Sequence, residues 1–194
     1  MKKPNAREKL LDVTFDAIYI NGYAATSIDA ILKKAGVPKG SLYHHFGSKK
    51  ALVMAMIRER LFVKIDRFFL FEKKEGQSVM QSIRNTYAAM AKNKMLIAYG
   101  CPLYRLMVEL SPVDGEFDVL LLQKYEDQHT KLSRLLQQGI VEGEFTSNLQ
   151  PEAFARYMLS ATWGILSLSP TLSSPNSFLE QSRFLLTQLE SFSI

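Results

Sequence analysis

Thr26-Ser27-Ile28-Asp29-Ala30-Ile31-Leu32-Lys33-Lys34-Ala35-Gly36-Val37-Pro38-Lys39-Gly40-Ser41-Leu42-Tyr43-His44-His45-Phe46 is the stretch whose spacing decides the fold. Ile28, Ile31, Leu32 and Ala35 share one face of a short helix, and Thr26 with Asp29 has the spacing of a capping box at its start. Gly36 permits a left-handed turn, Val37 plugs the corner, and Pro38 suits the first position of a following helix whose buried residues are Leu42 and Phe46. Upstream, Leu11, Phe15, Ile18 and Gly22 fall at i, i+4, i+7 and i+11, which predicts an amphipathic helix from about Ala6 to Asn21 that Gly22 ends. Three helices within 46 residues, the last two joined by a tight turn, make a helix-turn-helix with its first helix as buttress.

In such a unit the exposed N-terminal residues of the second motif helix enter the major groove. Lys39, Gly40, Ser41 and Tyr43 occupy that place: Lys39 donates to guanine acceptors, Ser41 bonds either way, Gly40 lets backbone approach, and Tyr43 reaches a thymine methyl or a phosphate. Thr26 and Ser27 at a helix start, with His44, His45 and Lys49, suit phosphates, and Lys2, Lys3 and Arg7 add charge from an N-terminal arm. Plainer readings stand beside these. Thr26 serves as a cap in any case, and Lys33 and Lys34 read as a solvated face. Adjacent histidines diverge by about 100° on a helix and have no Cys or carboxylate at ligand spacing, so no metal site and no cofactor is expected.

With the continuation Gly47-Ser48-Lys49-Lys50-Ala51-Leu52 and the preceding Gly22-Tyr23, the motif resembles the DNA-binding domain of the TetR family of transcriptional regulators. The resemblance covers roughly the first third of the chain. It implies an all-α homodimer with an N-terminal reader and a C-terminal ligand-binding and dimerisation domain, a near-palindromic double-stranded DNA operator, and a small-molecule effector that releases a repressor. Later features shared with a branch of the family are Gly100-Cys101-Pro102-Leu103, Glu109-Leu110, and Gly143-Glu144-Phe145 ahead of Glu152-Ala153-Phe154-Ala155.

The rest of the chain fits this division. Residues 1–50 hold nine Lys/Arg against four Asp/Glu, whereas residues 51–194 hold fifteen of each, so the net charge of +5 sits entirely in the first quarter. A small polyanion-binding segment on a neutral body follows. We therefore expect a DNA-binding domain over residues 1–50, with the motif at about 27–46, and a C-terminal domain over 51–194. One cysteine excludes an intrachain disulfide and suits a reducing cytoplasm. No signal peptide is visible, and the uncharged stretch 157–179 is interrupted by Pro170 and Pro175, so no membrane span is expected.

Helical spacing predicts a long helix from Ser48 to about Lys74, then Gln77–Lys94, Leu103–Leu110, Glu116–Glu142, Glu152–Leu168 and Ser177–Phe192, with a break from Pro170 to Pro175. Phe62, Met90, Tyr104, Met107, Tyr125 and Trp163 are candidates to line a pocket, although such residues also build ordinary cores. Cys101, flanked by Gly100 and Pro102, joins them as a thiol at a helix start: either a reactive sensor of electrophiles or a small buried apolar residue. The dimer is expected to form through 152–168 and 116–142, aided by 177–192, with Ala155, Ala161 and Gly164 allowing close approach. Two other classes compete: a constitutive architectural DNA binder without a ligand, and a helical carrier or enzyme, for which no nucleophile set, phosphate loop or metal pattern is present.

Overall fold

The computed structural model describes residues 5–172 and 175–194, and these residues are overwhelmingly helical. The chain divides into two compact units: Met1–Ile65 with Arg105–Leu121, and Asp66–Tyr104 with Leu122–Ile194. Among the described residues no helix is long and apolar enough to cross a membrane.

The first unit opens with α1 (Ala6–Asn21), where the Asn5 side chain accepts from the N–H of Glu8, and α1 ends at Gly22 with φ +88°. Then come α2 (Ile28–Ala35), α3 (Lys39–His45) and α4 (Lys49–Met56), the last capped by the Ser48 hydroxyl. Leu10, Leu11, Ile31, Leu42, Leu52 and Val53 are wholly buried, so α1 is the buttress that its apolar stripe predicts. Two details of the motif differ from expectation by one residue. The cap of α2 is Ser27, whose hydroxyl accepts from the N–H of Ala30, and Pro38 precedes α3 as its cap. With Ser27 as cap, Asp29 no longer holds the third position, and the capping box from Thr26 does not form.

The helix after Ser48 is not regular and stops early. A π turn at Ile57–Leu61 follows α4, and α5 (Phe62–Phe68) ends six residues short of Lys74. The neighbouring residues Glu59 and Arg60 both engage α1: Arg7 donates to the Glu59 carboxylate, while Arg60 pairs with Glu8 and Asp12. Consecutive side chains of a regular helix diverge by about 100°, and the wider turn lets both reach the same neighbour. Beyond α5 the backbone is recruited by the next helix, because Thr86 Oγ1 donates to the Leu70 carbonyl and the Lys74 N–H donates to Ser82 Oγ.

The second unit contains α6 (Val79–Lys92), α7 (Lys94–Tyr99), the start of α8 (Pro102–Leu110), most of α9 (Gly115–Val141), α10 (Pro151–Leu172) and α11 (Pro175–Glu190). The expected helix 77–94 is α6, two residues shorter at each end; Asn93 ends it, and the Asn93 side chain accepts from the N–H groups of Met95 and Leu96 at the start of α7, a helix that the spacing did not show. The first N–H groups of α6, at Val79 and Met80, donate to the Glu144 carboxylate at 2.7 and 2.8 Å. Helix α10 packs against α7 and α11, and α11 against α6. Pro170 lies inside α10 rather than ending it. A proline removes the bond to the carbonyl four residues earlier, here Leu166. At that carbonyl the chain makes its α7–α8 corner: a Cβ on Gly100, whose φ is +77°, would stand 3.1 Å from Leu166 O. The remainder of the expected break, residues 173–174, lies outside the described residues. Of the proposed small-residue stripe, Ala155 is wholly buried within its own protomer and so is unavailable to a partner, Ala161 is half-buried, and Gly164 is exposed.

Gly139, near the end of α9, carries a packing constraint that periodicity does not show. A Cβ there would lie 2.4 Å from Phe145 Cδ2, and Phe145 is 1% exposed. The Gly139 carbonyl also accepts from the N–H groups of Glu144 and Phe145. Gly139→Ala is therefore expected to lower stability by about 1 to 3 kcal/mol through overpacking, despite the roughly 1 kcal/mol that alanine gains in a helix. Urea unfolding checks this, and a variant as stable as the parent would show that Phe145 moves freely.

Candidate nucleic-acid interface

Leu42 is the wholly buried anchor of α3, and the opposite side of that helix is open. Lys39, Gly40, Tyr43, His44 and His45 are exposed, Tyr43 at 49%, and Ser41 is half-buried. Lys39 and Tyr43 stand one turn apart, as two side chains reaching into one groove must. The His44 and His45 rings meet edge to face at 4.9 Å. Among the described residues no group of three or more His, Cys, Asp or Glu is placed to hold a metal ion.

Three other residues expected at this surface make contacts within the unit. Thr26 is 2% exposed, and its hydroxyl donates to the Gly22 carbonyl at 2.7 Å and to that of Ala17 at 3.3 Å, so it has no free face for a phosphate. Ser27 is exposed, but its hydroxyl oxygen accepts from Ala30. The Lys49 ammonium donates to the Tyr23 carbonyl at 2.6 Å and lies 4.1 Å from the centroid of the Tyr23 ring. Burial pulls its pKa down, with Glu109 opposing. Arg7 is engaged by Glu59 and lies over the Phe46 ring, and Lys2 and Lys3 fall outside the described residues.

A role that the motif did not suggest belongs to α8. The Glu109 carboxylate accepts from the N–H of Tyr23 at 2.9 Å and of Ala24 at 2.8 Å, and Arg105, one turn earlier, donates to the Tyr19 carbonyl at 2.9 Å. These two side chains hold the α1–α2 corner. A Cβ on Gly22 would meet Glu109 Oε2 at 3.1 Å, so that residue must be small as well as left-handed.

Of the candidate pocket residues, the second unit brings three together. The Trp163 ring lies 5.2 Å from Tyr104 and 5.3 Å from Tyr125, and Tyr125 stacks on His129 at 6.4 Å. Met90 and Cys101 are buried in the same unit, at 1% exposure each, whereas Phe62 and Met107 belong to the first unit. Cys101 does precede the first residue of α8, yet burial pushes its thiol up to about 12 against the pull of the Tyr104 and Leu103 N–H groups. The geometry favours the small apolar reading of this cysteine over a reactive one.

Comparison with known proteins agrees with this architecture. Residues 10–56 match the family described as bacterial regulatory proteins, tetR family, and residues 78–183 match the tetracyclin repressor-like C-terminal domain. An HTH-type transcriptional regulator from the lacX 3' region of Lactococcus lactis subsp. lactis is 32% identical over 136 residues, 68% of each chain. The HTH-type transcriptional repressor DhaR of Mycobacterium sp. (strain GP1) is 26% identical over 168 residues, 86% of this chain and 83% of that one. In fold, the chain is similar to a TetR transcriptional regulator from Chloroflexus aurantiacus J-10-FL, with a TM-score of 0.86 at 20% identity over 97% and 96% of the two chains.

Two measurements follow from the half-buried Glu109 and the buried Cys101. Glu109→Ala strips two backbone N–H groups of a charged acceptor and is expected to cost about 2 to 3 kcal/mol in urea unfolding. Glu116→Ala, at a 73% exposed side chain, should change stability by less than about 0.5 kcal/mol; equal effects would remove the special role of Glu109. A thiol titrating at about 12 is almost wholly protonated at pH 8, so iodoacetamide should label Cys101 at least about 100-fold more slowly in the folded protein than in urea. Equal rates would restore the sensor reading.

Proposed function

This chain belongs to the TetR family of bacterial regulatory proteins, and from that premise we propose that it is a cytoplasmic homodimeric repressor, released from a near-palindromic operator by a small-molecule effector. It is a DNA-binding transcriptional regulator and not an enzyme, and TetR regulators bind DNA operators and act as dimers. The observation that carries the reading is the open side of α3 above its Leu42 anchor. Lys39 and Tyr43 read base edges, Gly40 and Ser41 allow close backbone approach, and His44 and His45 meet phosphates. Lys49 and Thr26 position the motif instead of touching DNA, because their polar atoms are used within it, whereas the exposed Ser27 hydroxyl caps α2 and keeps its O–H for a phosphate.

Two α3 helices about 34 Å apart suit successive major grooves. The partner surface we assign is the outer side of α10 and α11, where Tyr157, Leu168, Leu179 and Phe184 are apolar and exposed, Phe184 at 78%, and Gly164 permits close helix approach. The effector binds around Tyr104, Tyr125 and Trp163 in the second unit. Helix α8 is the route of coupling, since it carries Tyr104 near its start and the Glu109 contact to the α1–α2 corner near its end. An effector shifts operator affinity only by its differential binding to the two states of that link.

Lys39→Ala and Tyr43→Ala should each weaken operator binding by about 1 to 3 kcal/mol with unchanged circular dichroism and a smaller loss on random DNA. A constitutive architectural binder would instead show equal affinity for both DNAs and a steep salt dependence for each. Phe184→Glu should sediment as a monomer at micromolar concentration where the parent is a dimer; a dimeric variant would move the interface elsewhere.

A further inference from the structure

Tyr104, Tyr125 and Trp163 meet within the second unit, and two unpaired polar groups set what they offer a ligand. Trp163 is 9% exposed, yet its indole N–H has no acceptor among the described residues and the nitrogen is open to solvent. A buried tryptophan ordinarily gives its N–H to a partner. The half-buried Tyr104, whose ring centroid stands 5.2 Å from that of Trp163, likewise has a hydroxyl that is unpaired and open to solvent. The Trp163 ring is turned away from the surface assigned to the partner subunit, because Tyr157, Gly164 and Leu168 stand about 100° or more around α10 from it.

Charge is already balanced around these rings. Arg156, beside the Tyr125 hydroxyl, pairs with Glu126 at 3.4 Å. His129 stacks on Tyr125, bonds the Glu152 carbonyl through Nε2 at 2.9 Å, and has Nδ1 3.6 Å from the same Glu126. Among the described residues at the cluster, no spare cation awaits an anionic ligand and no spare carboxylate awaits a cationic one. A cation would also meet the positive end of the Trp163 N–H dipole, which offsets the attraction of the ring faces. Those faces are turned on one another, with Trp163 tilted 38° against Tyr104 and 54° against Tyr125.

What fits is a neutral molecule with a flat apolar body for the half-buried tyrosine rings and an acceptor oxygen for the indole N–H. We propose that the effector site takes neutral aromatic carbonyl compounds, with Trp163 Nε1 donating to the carbonyl oxygen and the Tyr104 hydroxyl as second donor. This rests on placing the effector at these rings, and it names the ligand chemistry that the placement alone leaves open.

The chain has one tryptophan, so the nitrogen–proton correlation spectrum of the full-length dimer holds one indole peak, and that peak reports on the site. Four probes of similar shape are titrated in parallel: acetophenone, ethylbenzene without the oxygen, benzoate with a negative charge, and phenyltrimethylammonium with a positive one. Acetophenone should move the indole peak downfield and saturably, with a Kd at least about threefold below those of the other three. Trp163→Phe keeps an aromatic body and removes the N–H, so in ligand-observed NMR the ratio of acetophenone to ethylbenzene affinity should fall to about one. A variant that keeps the parent's ratio would overturn the donor role of Trp163. Equal or tighter binding of ethylbenzene, benzoate or phenyltrimethylammonium at the indole peak would overturn the ligand class and leave the site standing. An indole peak that millimolar acetophenone does not move, or shifts confined to amides elsewhere, would overturn the proposal together with the placement of the effector. If Trp163→Phe fails to fold, the four-probe comparison on the parent decides.

Discussion

The first unit depends on one carboxylate. Helix α1 contacts α2, α3, α4 and the π turn, so the angle at which it leaves for α2 sets the placement of the reading helix. At that corner α1 ends, leaving carbonyls without partners, and the next turn begins, leaving N–H groups without partners. Helix α8 supplies a matched pair: the Arg105 guanidinium on the Tyr19 carbonyl and the Glu109 carboxylate on the Tyr23 and Ala24 amides. Residues at i and i+4 lie on one face, so a single helix turn delivers both signs of charge where each is needed. Lys49, folded against the Tyr23 carbonyl and ring, closes the same corner from α4.

Much of this was legible in the sequence. The run from α1 to α3 was readable because its stripe, glycines and proline are local signals, and α1 has the limits that its spacing predicts. What escaped reading is tertiary. Ser27 and Thr26 are both hydroxyl residues at a helix start, and only packing decides that Thr26 turns inward. Glu109 and Glu144 cap segments 86 and 65 residues away, and no window of sequence links them to Tyr23 or Val79. The short α7 escaped as well, since six residues carry little periodicity and its start is set by the Asn93 side chain, which accepts from the Met95 and Leu96 N–H groups. The candidate site divides similarly: the exposed readers on α3 follow from the register of Leu42, whereas the engagement of Lys49 depends on where Tyr23 lies.

The second unit holds its longest helix by charge. Asp66, at the end of α5, accepts from Lys124, Lys131 and Gln128 on α9, and Asp127 accepts from both lysines. Burial opposes the negative charge on Asp66, and the two lysine hydrogen bonds outweigh it, so its pKa is lowered. Lys124 is 7% exposed, which makes its partners obligatory: removing one carboxylate would leave a buried ammonium poorly compensated. Such a network fixes α9 in register more than it adds net stability.

The corner at Gly100 has an evolutionary consequence. Pro170 deprives the Leu166 carbonyl of its bond within α10, and the α7–α8 corner approaches that same carbonyl so closely that a methyl on residue 100 would stand 3.1 Å from it. Positions 100 and 170 thus bear on one and the same oxygen atom. A side chain at 100 is barred both by the left-handed backbone and by the oxygen across from it, and a non-proline at 170 would recapture that oxygen and draw it into the helix. Relatives that depart from glycine at this corner should depart from proline in the facing helix in the same lineage, giving a covariation signal between residues 70 positions apart that no local motif contains.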